Sequence, residues 1–81
     1  MIGIDVSHWQ GNIDWQAAKT AIYYAILKCT EGIDYTDPSY YYNKMECERL
    51  VIPHGVYHFF EPETDGVKQA EYFYSKADDP E

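Results

Sequence analysis

The residues with the greatest capacity for chemistry stand in three short groups, each at the end of an apolar run. Asp5, Ser7, His8, Trp9 and Gln10 close GIDVSHWQG, residues 3–11; Thr30 and Glu31 follow AIYYAILK, residues 21–28; Tyr57 and His58 lie near the end of IPHGVYHFF. Carboxylates, a phenol and imidazoles bind polar ligands and move protons when something positions them. Each also has a plainer role. Asp5 reads equally well as a satisfied structural carboxylate or a turn cap, and Ser7 and Asn12 as turn and cap residues. Glu31 precedes Gly32 and fits a solvated loop. His58, inside an apolar run, fits a histidine held by a hydrogen bond. Trp9 and Trp15 fit packing, although a Trp beside a strand-end carboxylate also suits stacking on a sugar.

Other chemistries lack their residues. No G-x-G-x-x-G or Walker pattern follows an apolar run, so no phosphate cradle is expected. No H-E-x-x-H or similar spacing is present, and His8, His54 and His58 make no metal site; neither metal nor cofactor is expected. Ser7 and His8 are adjacent, which in a strand sends them to opposite faces, and no strand-to-helix elbow presents the serine. Cys29 and Cys47 are too few for a disulfide framework and read as small core hydrophobes.

The elements that must carry these groups follow from the patterning. IGIDV reads as a strand and IDWQAAKTA as a short helix. AIYYAILK reads as a buried strand apolar on both faces, as in parallel sheets. Asp37-Pro38 resembles an N-cap and a first-turn proline, opening a helix over SYYYNKMECERL with Tyr41 and Met45 placed by i, i+4 spacing. On that helix Tyr40, Tyr41 and Tyr42 read as packing residues. IPHGVYHFF is a third strand, with Pro53 at its start. EPETDG is a loop, and VKQAEYFYSKA a third helix with Val67, Ala70, Tyr74 and Ala77 on its apolar stripe.

The fold class is therefore α/β: three βα units, βαβαβα, with parallel strands and right-handed crossovers. Strands in sequence order put every helix on one face and leave the other bare. Such a sheet belongs to a (β/α) barrel or completes itself by association. In barrels the active site lies at the C-terminal ends of the strands, where all three polar groups fall.

Composition narrows the partners. With 81 residues the chain fits one small domain or a piece of a larger one, and 46% apolar residues give it material for a core. A formal net charge of −8 argues against a nucleic-acid binder, which needs Lys and Arg to neutralise phosphates. No apolar run approaches the roughly 20 residues of a membrane span, and no export signal is visible.

GIDVSHWQGNIDW, AIYYAILKCTEGIDYTDP and HGVYHFF, in this order and spacing, resemble the N-terminal portion of glycoside hydrolase family 25, the Chalaropsis-type lysozymes of bacteria and phages. The resemblance covers essentially the whole chain. It implies the first part of an irregular (β/α) barrel, with residues 1–81 stopping before the fourth strand. It also implies a muramidase, cleaving the β-1,4 bond between N-acetylmuramic acid and N-acetylglucosamine in peptidoglycan glycan strands. By the same resemblance Asp5 is the catalytic-site carboxylate, and Glu31, Tyr57 and Phe59 are substrate-binding. Strand alternation places Tyr57 and Phe59 on one face and His58 on the other.

The family's principal acid, the Glu of an Asp-x-Glu pair after the fourth strand, is not among these residues. Asp79-Pro80-Glu81 fits the letters but follows a helix tail rather than a strand. Glycoside hydrolysis needs groups on both sides of the scissile bond, so the isolated chain is expected to be inactive. The alternative is a non-catalytic remnant that binds wall glycan or self-associates through its open face. Either would act at the cell wall, after secretion or phage release.

Overall fold

The computed structural model describes residues 2–77, and Asp79-Pro80-Glu81 lies outside them. The order is β1 (Ile2–Val6), α1 (Trp15–Ala18), β2 (Ile22–Glu31), β3 (Tyr35–Thr36), α2 (Tyr40–Arg49), β4 (His54–Phe59) and α3 (Gly66–Ala77), with a 3-10 turn at His8–Gln10. β2 is the central strand. β1 runs parallel along one edge, with Asp5 opposite Ile26 and Val6 opposite Leu27. β4 runs parallel along the other, with Gly55 opposite Ile26 and Tyr57 opposite Lys28.

The sheet is mixed, not wholly parallel as its sequence pattern suggests. β1 ends opposite Leu27, and the edge of β2 it leaves is taken by β3, antiparallel, with Thr36 opposite Thr30 and Tyr35 opposite Glu31. Gly32, with φ of 62°, makes the intervening turn in the left-handed region that glycine occupies without strain. This hairpin draws β2 on to Glu31, beyond the end of its apolar run.

The register between β2 and β4 shifts between Lys28 and Thr30, so Cys29 is the extra residue of a bulge. Before the bulge Ala25 and Leu27 point to the helices. Cys29 is buried with them, and Thr30 meets His58 on the same side. Glu31 then returns to the opposite face. The strand therefore has two faces of different character rather than two apolar ones.

On the helix side Trp15, Ala25, Leu27, Cys29, Tyr40 and Cys47 are fully buried. Both cysteines are free thiols, and burial pushes each up to about 11 from 9.0. The Trp15 indole N–H donates to Asn43 Oδ1 at 3.0 Å, so Asn43 sits inward on α2 with Tyr40 and Cys47; Tyr41 packs against the core as expected, whereas Met45 is exposed. The apolar stripe read along α3 holds only at Ala77, which packs on the core with Phe73; Val67, Ala70 and Tyr74 are exposed, and Gln69 is buried.

Gln69 is inward because its amide completes a network. Its Nε2 donates to the carbonyls of Glu61 (2.8 Å) and Thr64 (3.1 Å). Its oxygen must then accept, from Glu61 N at 3.0 Å and His58 Nε2 at 2.8 Å. That assigns the His58 proton to Nε2 and leaves Nδ1 to accept from the Thr30 hydroxyl at 2.8 Å. A buried polar side chain with every group engaged outweighs the apolar residues either side of it.

Helix starts also differ from the sequence reading. Asp14, not Asn12, caps α1, accepting from Ala17 N at 3.1 Å. Ser39 occupies the N-cap position of α2 without a side-chain bond. Asp37, two residues earlier, accepts from Ser39 N at 3.1 Å, and its other oxygen turns to His8.

Candidate active site

Alternation along the strands puts Asp5 of β1, Lys28 and Glu31 of β2, and Tyr57 and Phe59 of β4 on the face away from the helices. All lie toward the C-terminal ends of their strands. The four sequence-predicted site residues, Asp5, Glu31, Tyr57 and Phe59, thus come to one face, and His58 is on the other.

Asp5 is exposed. Gly3, two residues earlier on the same face, lies beneath the ring of Tyr24, which occupies the space a side chain at Gly3 would need. Tyr57 is half-buried opposite Lys28. Burial first, and then the negative charge of Asp5, hold its hydroxyl above the usual phenol range; Lys28 acts in the opposite direction. Tyr57 thus feels charges carried on the two other strands, Asp5 of β1 and Lys28 of β2. At ordinary pH Tyr57 is a neutral hydroxyl able to donate to a ligand oxygen.

Lys28 is the group that sequence reasoning missed. Only 5% of it is exposed, and its Nζ lies 2.6 Å from Glu31 Oε1. The ammonium also sits 5.5 Å from the Tyr35 ring centroid and 5.1 Å from that of Phe59. Within AIYYAILK it reads as the polar end of an apolar run. Its i, i+3 spacing from Glu31 is no strand signal, because only the bulge returns Glu31 to the Lys28 face.

The segment after Asp5 is pinned rather than loose. Ser7 N donates to Gln10 Oε1 at 2.7 Å, and Ser7 Oγ accepts from Trp9 N at 3.3 Å, a reciprocal capping box. His8 joins the buried Asp37 carboxylate twice, through its backbone N–H (3.2 Å) and through Nδ1 (2.8 Å). Ser7 Oγ is therefore a cap and is not paired with the imidazole. Trp15 is a packing residue as expected, but Trp9 is 80% exposed and touches the His8 ring at 4.6 Å between centroids.

A depression of about 370 Å³ lined by Cys47, Glu48, Val51, Ile52, Pro53 and His54 lies at the other end of β4 and contains none of these groups. Among the described residues no cluster of His, Cys, Asp or Glu is placed to hold a metal ion. No helix there is long and apolar enough to cross a membrane.

Comparison with known proteins shows the family to which a sheet with carboxylates, a phenol and aromatic rings at its strand ends belongs here. The sequence model of glycosyl hydrolases family 25 matches residues 4–81, and the chain belongs to that family. It is 44% identical over 75 residues to Lysozyme M1 of Streptomyces globisporus, covering 90% of this chain and 26% of that protein. It is 37% identical over 76 residues to the N,O-diacetylmuramidase of Chalaropsis sp, covering 88% of this chain and 36% of the relative. The crystal structure of a bacterial lysozyme from Streptomyces coelicolor superimposes with a TM-score of 0.88 at 42% identity, over 93% of this chain and 36% of that one. The chain thus spans between about a quarter and somewhat over a third of the length of these relatives.

Proposed function

We propose that this chain forms the first part of an irregular (β/α) barrel in a peptidoglycan muramidase, carrying one wall of its cleft. The observation that carries the reading is the convergence of Asp5, Glu31, Tyr57 and Phe59 on the open face of the sheet, at the strand ends, in a member of family 25. The substrate is the glycan strand of peptidoglycan, and the bond is the β-1,4 link between N-acetylmuramic acid and N-acetylglucosamine.

Asp5 is the catalytic-site carboxylate in this reading. An exposed carboxylate at a strand end can stabilise positive charge developing on a sugar ring or orient the substrate's acetamido group. Tyr57 donates its hydroxyl to a sugar oxygen, Glu31 accepts from a hydroxyl or amide N–H, and the Phe59 ring supplies apolar contact. Protonation of the leaving oxygen needs a further group held opposite the carboxylate, and this reading assigns that step to none of the four. The 81-residue chain alone therefore has no appreciable hydrolase activity.

The test is a chimera in which this chain replaces the matching segment of Lysozyme M1. The chimera should solubilise purified cell walls, and Asp5→Asn within it should lower turnover by about 10²-fold or more. A folded chimera without activity, or one indifferent to Asp5→Asn, would sink the reading. Wall turnover by the 81-residue chain alone would refute the division of labour proposed here.

A further inference from the structure

We propose that Lys28 is the positioning residue of this face: it locks Glu31 into a single orientation, as a fixed acceptor for a hydroxyl or amide N–H of a bound saccharide. The ligand half of this assignment rests on the muramidase reading, and the positioning half on geometry alone.

A lysine in a strand ordinarily carries its ammonium out to water along its flexible stem. Lys28 does not, with 5% of the residue exposed. A covered ammonium requires compensation, and three groups supply it. Glu31 Oε1 takes a charge-assisted hydrogen bond at 2.6 Å, and the Tyr35 and Phe59 rings flank Nζ at 5.5 and 5.1 Å. These partners come from β2, β3 and β4, so the cation ties together the three segments that meet at this corner of the sheet.

The exposures within the pair differ, and the difference sets the direction of the effect. The Lys28 side chain is 6% exposed and that of Glu31 is 32%. The lysine is the buried anchor and the glutamate the working end, held at Oε1 while about a third of its side chain faces solvent. A free surface glutamate samples several rotamers and loses that freedom on binding. Glu31 has already lost it. Lys28 thus contributes to affinity without touching the saccharide, and does so only through Glu31.

The 81-residue chain tests this with and without ligand. Three-bond couplings of the Glu31 side chain should report one χ1 rotamer in the wild type and in Lys28→Arg, and averaged rotamers in Lys28→Met. Affinity for a soluble tetrasaccharide of alternating N-acetylglucosamine and N-acetylmuramic acid should fall about tenfold in Lys28→Met and in Glu31→Gln, and by under about threefold in Lys28→Arg. The double variant Lys28→Met/Glu31→Gln should bind no worse than Glu31→Gln, because the two act as one unit.

A single Glu31 rotamer persisting in Lys28→Met, unchanged affinity in that variant, or additive losses in the double variant would overturn the assignment. If Lys28→Met fails to fold, Lys28→Gln, which removes the charge but keeps a polar tip, takes its place, with the same averaged Glu31 rotamers and about tenfold loss expected. If the wild-type chain binds no saccharide, the ligand half fails, and the couplings decide the positioning half by themselves.

Discussion

The two faces of one sheet treat polar groups in opposite ways. Toward the helices, Thr30, His58 and Gln69 bond to one another, and Asn43 accepts from Trp15, so each polar group there serves its neighbours. On the open face Asp5 is exposed, Tyr57 is half-buried and feels the Asp5 charge, and Glu31 is held by Lys28 with its side chain partly exposed. The same strands supply both sets. A polar side chain whose capacity is spent inside the protein holds structure, and one whose capacity is left over is available to a ligand.

That contrast can be broken from the covered side first. Trp15→Ala removes a fully buried indole and leaves Asn43 without its donor, and should cost about 3–5 kcal/mol, enough to unfold much of so small a chain in a urea titration. Alkali should act on the same side. The unfolded chain releases its thiol protons near pH 9, whereas folded Cys29 and Cys47 keep theirs to about 11. Their contribution is complete below pH 9 and is lost as pH rises from 9 to 11, by about 2 kcal/mol per thiol at pH 10.5. Urea midpoints at pH 8 and pH 10.5 measure it.

Gln69→Leu keeps the bulk and removes the amide, taking the Gln69 donor from the Thr64 carbonyl and the acceptor from Glu61 N and His58 Nε2, while the Glu61 carbonyl keeps its bond from Thr64 N. It should cost about 2 kcal/mol, with the 61–64 loop losing amide protection in hydrogen exchange. Asp5→Asn, on the open face, should change stability by less than about 0.5 kcal/mol even as it removes turnover from the chimera. Equal stability losses for Gln69→Leu and Asp5→Asn would erase the distinction between the faces.

Much of this arrangement was legible in the residues. Period-two alternation sorted Tyr57 and Phe59 from His58, and the polar groups closing three apolar runs located the strand ends. The short β3 was not legible, because two residues in a Gly-initiated turn carry no periodicity. The inward face of α3 was misread for a related reason: counting apolar residues selects Val67 and Tyr74, while Gln69 earns its place through bonds to loop carbonyls that pattern does not reveal.

The sequence by itself determined which way side chains point along each regular strand, and with that the separation of a covered face from an open one. It also carried the motifs that place the chain in family 25. The tertiary structure decided which partners meet. His8 finds Asp37, Trp15 finds Asn43 and Thr30 finds His58 only through strand register and helix docking. Lys28 and Glu31 share a face only because the bulge at Cys29 adds a residue between them. Alternation is a local property of the backbone, whereas register, bulges and long-range hydrogen bonds are settled by how the whole chain packs.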